Sequence, residues 1–177
     1  MTIDDRHITE ALHRNAEEGL RLLMGKYKEA VYWHIRRLVV AHADAQDAAQ
    51  ETFVRIYRSA DQIREGHSLR AWVFRIATNE ALRSIEARKR HADEGDETQA
   101  ELIPDDGYVD YSDLEAVRLQ KAILSLPEKQ RITFNLRYYD ELDYAEIAQA
   151  TASTPSAAKA NYHTAKEKII AYMRSHN

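Results

Sequence analysis

Ser156, Lys159, His163 and Lys166 fall on one side of a helix at 100° per residue. They place a hydroxyl, two fixed cations and an imidazole along about three turns. Such a set recognises phosphates with its cations and base edges with its hydrogen-bonding groups. Other residues anchor that helix. Ala158, Tyr162, Ala165, Ile169 and Tyr172 follow at i, i+4, i+7, i+11 and i+14, one apolar stripe. Thr154 is a helix cap, and Pro155 sits at the first helical position, where its missing N–H costs nothing. Just upstream, Asp143 and Glu146 have the spacing of a capping box. Leu142, Ile147 and Ala148 supply that shorter helix's apolar side, and Ala150 to Ser153 break the pattern. A short helix, a turn and a longer helix with a basic face is the helix-turn-helix layout, whose second helix enters the DNA major groove. An ordinary helical hairpin with a solvated basic face fits the same residues.

Two further sets lie in the first half of the chain. A helix starting at Asp44 packs through Ala45, Ala48, Ala49, Thr52, Phe53 and Ile56. Asp47, Gln50, Glu51, Val54 and Arg58 share its opposite face. Acid, amide and aliphatic side chains together suit a protein partner, although a solvated face is the simpler reading of them taken alone. Ser68 then caps a long helix to about Arg90. Leu69, Trp72, Val73 and Ile76 share one face, while Phe74, Ala81 and Ile85 point elsewhere, so this helix packs against more than one neighbour. It ends in Arg83, Arg88, Lys89 and Arg90, close to Trp72 and Asn79. Cations for phosphate beside flat or amide groups for bases are what nucleic acid asks for. Cations are also favoured at any helix C-terminus by the helix dipole.

The rest of the chain must position these sets. Its 177 residues suffice for one or two small domains. Only 5 glycines and 3 prolines starve it of turns, and the periodicity is helical, so the expected fold is all-α. With no cysteine there is neither a disulfide framework nor a thiolate metal site. The eight histidines are scattered, without metal-ligand spacing, and no glycine-rich phosphate loop is present. No cofactor and no enzymatic activity are therefore expected. No apolar run approaches the ~20 residues that span a bilayer, and the first residues lack the apolar core of a signal peptide. A cytoplasmic location is expected.

The periodicity predicts helices over Ile8–Met24 and Tyr27–Val40, with His34, Arg36 and Arg37 on the solvated side of the second. Two more are predicted over Asp113–Leu126 and Glu128–Tyr139, supporting the helix-turn-helix. Net charge is −4, yet ten acids and no Lys or Arg lie between His91 and Val117. Setting those ten aside leaves the remainder at +6. The expected organisation is two small helical domains joined by an acidic linker, the C-terminal one a helix-turn-helix four-helix domain. The boundaries are 1–91, 92–112 for the linker, and 113–177.

Four segments resemble a known family. Asp44 to Arg58, D-A-Q-D-A-A-Q-E-T-F-V-R-I-Y-R, is similar to the D-A-x-D-x-x-Q-E-T-F-x-x-x-Y/W-R segment of extracytoplasmic-function sigma factors of bacterial RNA polymerase. Leu69 to Asn79, L-R-A-W-V-F-R-I-A-T-N, resembles their x-x-x-W-L-x-R-I-A-x-N segment. Leu126 to Arg131 and Tyr144 to Ala148 resemble their L-P-x-x-x-R and Y-x-E-I-A segments. The matches occur in family order and cover roughly residues 25–90 and 114–170.

The resemblance implies a protein that binds core RNA polymerase and directs it to promoter DNA through −35 and −10 elements. It implies that Asp47, Gln50 and Glu51 dock on the clamp helices of the polymerase's largest subunit. Asn79 matches an amide that helps capture an unpaired −10 base, Trp72 a buried tryptophan, and Lys159 a recognition-helix residue near the −35 element. It also implies an anti-sigma partner, often membrane-tethered. The alternative is a stand-alone helix-turn-helix regulator, which would need neither the acid-amide face nor the linker. The family's recognition helix often reads G-T-V-K-S-R-L-H-R-A-R, whereas Ser156 to Lys166 reads S-A-A-K-A-N-Y-H-T-A-K. Asn161 and Thr164 stand where two arginines are usual, and Ala152 and Ser153 replace the usual glycine and apolar residue of the turn.

Overall fold

The computed structural model describes residues 2–93 and 113–176. Those residues form eight α-helices and no strand. In chain order they are α1 (Asp5–Arg14), α2 (Ala16–Val39), α3 (His42–Arg58), α4 (Leu69–Asp93), α5 (Leu114–Leu124), α6 (Glu128–Tyr138), α7 (Tyr144–Thr151) and α8 (Pro155–Ser175). They fall into two compact units, α1–α4 and α5–α8. The acidic stretch expected as a linker, 92–112, begins within the last turn of α4 and otherwise lies outside the described residues.

In the first unit the chain turns at Asn15, not near Gly25 as the periodicity predicts. The Asn15 side chain accepts from the N–H groups of Glu17 (3.1 Å) and Glu18 (3.3 Å) and so starts α2. Asn15 stands between apolar residues that stay in helical phase on both sides, which hides the break from a periodicity count. Gly25 lies inside α2 with open space where a Cβ would be. Gly19 is another matter, since a Cβ there would sit 2.5 Å from the Leu12 backbone. Its missing side chain lets α1 cross α2 in close contact. Asp5 fastens the same crossing, accepting from Lys26 Nζ (2.6 Å) and Tyr27 Oη (2.7 Å).

The α2–α3 turn is abrupt. Val40 has φ 72°, unusual for a β-branched residue, and Ala41 N–H reaches the Val39 carbonyl at 2.9 Å. This three-residue reversal is strained, and the burial of the Val40 side chain offsets the cost. Beyond it, α3 buries Ala45, Ala48, Ala49, Thr52, Phe53 and Ile56, the face its spacing predicts.

The long α4 is covered on several sides, packing against α1, α2 and α3. Ala71, Ala77 and Ala81 are fully buried beside Leu69, Val73 and Phe74. The solvated reading of α2's polar residues is overturned here. His34 is fully buried, with Nε2 2.8 Å from Thr78 Oγ1 and its ring edge-on to Phe74 at 5.3 Å. Arg36 is buried and Arg37 half-buried. Because α3 and α4 both lie on α2, more of its circumference is interior than one apolar stripe marks.

In the second unit Asp113 caps α5, accepting from the Glu115 and Ala116 N–H groups. Ala122, Ile123, Leu126, Phe134, Ala165 and Ile169 form one core cluster, with Tyr139, Tyr162 and Tyr172 packed around it. α8 touches α5, α6 and α7 and is the axis of the unit.

The two glycines of α2 should answer the same substitution with opposite signs. Gly19→Ala should destabilise the first unit by about 1–3 kcal/mol, through overpacking against Leu12. Gly25→Ala should stabilise it by roughly 0.5–1 kcal/mol, through helix propensity alone. Urea unfolding followed by circular dichroism measures both.

Candidate functional site

The outer face of α3 follows from the packing of its inner one. With the alanine-rich side against the core, Asp47, Gln50 and Arg58 are exposed and Glu51 and Val54 half-buried. α2 supplies a wall that the sequence reading did not include. Leu20, Met24 and Tyr32 of α2 face Gln50, Phe53, Val54 and Tyr57 of α3 across an open groove of about 920 Å³. Glu17, Lys28, Asp47 and Arg58 stand at its polar edges. Tyr57, 44% exposed, is a large ring left uncovered there. Leu20 belongs to the apolar phase of α2, so periodicity marks it as interior. Its exposure depends on how α3 lies across α2, which no local pattern reports.

Along α4, Trp72, Asn79 and Arg83 lie on one side of the helix. Asn79 and Arg83 are exposed, and Arg90, two turns beyond Arg83, is exposed too. Trp72 was expected in the core. It is instead half-buried and sits in this outward stripe, two turns before Asn79. The four cations do not form one group. Arg83 donates from Nη1 to Glu80 Oε1 at 2.8 Å. Arg88 points to the opposite side of α4 and donates from Nε to Asp44 Oδ2 of α3 at 3.0 Å, tying the two helices together. Lys89 is 3.7 Å from Glu86 on its own helix.

In the second unit the capping box is formed. Glu146 N–H donates to Asp143 Oδ1 at 2.8 Å, and Asp143 N–H to Glu146 Oε1 at 3.2 Å. α7 ends at Ala152, which is left-handed with φ 52°. Ser153 N–H reaches back to the Ala148 carbonyl at 2.9 Å. Thr154 Oγ1 accepts from Ala157 N–H at 3.1 Å and begins α8, with Pro155 at its first position. Ala158, Ala165 and Ile169 are buried, so Ser156, Lys159, His163 and Lys166 stand exposed on one side. Lys166 Nζ lies over the Tyr162 ring, 5.5 Å from its centroid. Asn161 and Thr164 flank this stripe and are half-buried.

A capped short helix, a left-handed turn and a longer helix with exposed cations define the second unit as a DNA-binding helix-turn-helix domain. Residues 23–91 match the family model Sigma-70 region 2, and residues 116–169 match Sigma-70, region 4. The chain is 28% identical over 178 residues to the ECF RNA polymerase sigma-E factor of Escherichia coli (strain K12), covering 94% of this chain and 93% of that protein. It is 27% identical over 176 residues to the RNA polymerase sigma-H factor of Pseudomonas aeruginosa, covering 93% and 91%. With the ECF RNA polymerase sigma factor SigW of Bacillus subtilis it is 29% identical over 163 residues, covering 84% and 85%. The fold is that of CnrH, solved in complex with the cytosolic domain of CnrY, with a TM-score of 0.75 at 18% identity over 98% of this chain and 99% of the other. The sigma factor RpoE of Bartonella quintana, solved with the anti-sigma factor NepR, gives 0.68 at 22% identity over 82% and 91%.

The chain belongs to the extracytoplasmic-function sigma factors of bacterial RNA polymerase. It binds core polymerase and directs initiation at promoters, and the stand-alone regulator finds no support in these matches.

The turn between α7 and α8 carries a local strain that can be relieved. Ala152→Gly removes the Cβ penalty of a left-handed residue and should stabilise the second unit by about 0.5–1 kcal/mol. Thermal unfolding reads this directly, and promoter preference should be unchanged because Ala152 lies outside the cationic stripe.

Proposed function

We propose a division of labour between the units. Unit one docks core polymerase and opens the −10 element, unit two reads the −35 element, and the acidic stretch 92–112 joins them. The protein performs no chemistry itself and works beside the polymerase in the cytoplasm; no described helix is long and apolar enough to cross a membrane.

The observation that carries this reading is the α2–α3 groove edged by Asp47, Gln50 and Arg58. An apolar trough with charged edges accepts a helix by its apolar side and fixes its register by charge. The clamp helices of the polymerase's largest subunit are such an occupant, with Asp47, Gln50, Glu51, Val54 and Arg58 as their contacts. On α4, Asn79 offers a donor and an acceptor to an unpaired base edge, Trp72 a flat face, and Arg83 and Arg90 charges for the backbone. Lys89 lies to one side of them, and Arg88, bound to Asp44, acts mainly as a structural tie. An anti-sigma factor is a further partner, supported by the CnrH and RpoE structures, which were solved as complexes.

Replacing Gln50 by Ala and Glu51 by Lys should leave the helical content and thermal midpoint nearly unchanged. Core affinity should fall at least tenfold, about 1.4 kcal/mol. Asn79→Ala should bind core normally yet give weak permanganate reactivity in the −10 region. Unaltered core affinity in the first protein, or a normal bubble in the second, removes the corresponding assignment.

For the second unit, Ser156, Lys159, His163 and Lys166 are the groove-facing set. Each phosphate contact to duplex DNA contributes about −0.9 to the salt slope, so two lysines give a shallow slope of about −2. Lys159→Ala should cut −35-dependent transcription with core binding intact. The slope should drop by about one if Lys159 meets a phosphate, or preference should relax at one base pair if it meets a base. A steep slope would mean that another face enters the groove.

A further inference from the structure

Four charged side chains alternate in sign across the α3–α4 contact. Glu51, on the outer face of α3, has Oε1 3.5 Å from Arg55 Nε. Arg55 Nε is also ion-paired with Glu80 Oε1 of α4. Arg83 Nη1 donates to that same Glu80 oxygen at 2.8 Å. The Glu80 side chain is 6% exposed, against 44% for Glu51, 43% for Arg55 and 58% for Arg83. The row therefore starts on the α3 face, passes through a buried carboxylate and ends on the α4 stripe, one turn from Asn79.

A buried carboxylate must keep a cation beside it. Glu80 has two, and Glu51 competes for one of them. When a partner's cation takes up Glu51, Arg55 is left to Glu80 alone, and Glu80 then needs Arg83 less. We propose that Glu80 is a positioning residue that withholds Arg83 from nucleic-acid phosphate until Glu51 is engaged by a docked partner. The inference rests on the docking reading of α3 and the nucleic-acid reading of α4. The coupling is reciprocal: phosphate on Arg83 leaves Glu80 to Arg55, which loosens Arg55 from Glu51. Half-exposed ion pairs are individually weak, so the effect is a bias of a few-fold.

The test uses the full chain without polymerase and a labelled single-stranded oligodeoxynucleotide, read by fluorescence anisotropy. Glu51→Gln imitates an engaged Glu51. It should tighten oligonucleotide binding about two- to threefold more in the wild-type background than in the Glu80→Gln background. Glu80→Gln alone should steepen the salt slope by about 0.7, one added phosphate contact on a single strand. Adding Arg83→Ala should remove that gain, a response that a purely structural role for Glu80 would not produce. Asp47→Asn, a charge loss on the same face, should act equally in both backgrounds. If Glu80→Gln does not fold, Arg55→Gln takes its place, because it breaks the row without touching the buried carboxylate. Equal effects of Glu51→Gln in both backgrounds overturn the coupling while leaving both surfaces intact. If Arg83→Ala leaves oligonucleotide binding unchanged even in the Glu80→Gln background, the reading of α4 has failed. If Glu51→Gln leaves core affinity unchanged, the docking reading has failed. Either failure takes the coupling with it.

Discussion

The first unit depends on how much of α4 can be buried while one side stays open. A long helix lying on three others meets them along most of its length, and interiors are packed too densely to forgive excess volume. Alanine at positions 71, 77 and 81, each fully buried, keeps α4 close to its neighbours. The face of α3 turned toward the interior is equally lean, with Ala45, Ala48 and Ala49. Small residues on these helices bring their axes together, and that closeness fixes two outward surfaces at once. The α3 face cannot rotate without dragging its alanines off the core, and the α4 stripe cannot rotate without burying Asn79. Two outward surfaces are thus oriented by one set of contacts, and in the proposed reading they meet different partners.

Polar ties hold the angle that packing alone leaves loose. Arg88 grips Asp44 at the start of α3, and Glu80 meets Arg55 further along the same helix. The ties sit at different points of one helix pair, so they resist sliding and rotation together. Hydrophobic burial is non-directional and cannot provide this. Isolated exposed pairs contribute little to stability, but Glu80 is buried, and leaving a buried charge unpaired is costly. Its two arginines therefore have a structural reason to stay near, which gives the row its definite geometry.

Where the buried residues of a helix keep to one arc, its interior side is legible in the spacing. The six-residue inner face of α3, the capping box at Asp143 and Glu146, and the Thr154-Pro155 start of α8 all follow from spacing and cap chemistry. Where burial extends beyond the main apolar stripe, spacing misleads. His34 and Arg36 look like solvent residues because they leave the main stripe of α2, yet α3 and α4 enclose that helix from different sides. Trp72 looked interior by resemblance and by hydrophobicity, but its direction along α4 coincides with Asn79. The break at Asn15 is hidden in the spacing because the flanking residues stay in phase and only a side-chain cap marks it. Arg88 was grouped with its basic neighbours in sequence, whereas a shift of five residues from Arg83 carries it to the other side of the helix. The apolar α2 wall of the groove is a tertiary product for the same reason.

The second unit shows a related economy of charge. The exposed stripe of α8 carries Lys159 and Lys166, and the Tyr162 ring claims part of Lys166. Asn161 and Thr164, where the family often carries arginine, are half-buried beside the stripe. A face with so few cations gains little from counterion release, the term that dominates non-specific binding. Weak attraction to arbitrary DNA is useful to a factor that should act only when joined to its polymerase. In the proposed reading, docking presents this domain to nearby DNA at an effective concentration set by the tether, and a modest intrinsic affinity then suffices. Ten acids between His91 and Val117 push in the same direction, since they lower the net charge of the free chain from +6 to −4. Selectivity then resides in the requirement that docking, −10 capture and −35 contact occur together, and no single surface needs to be strong.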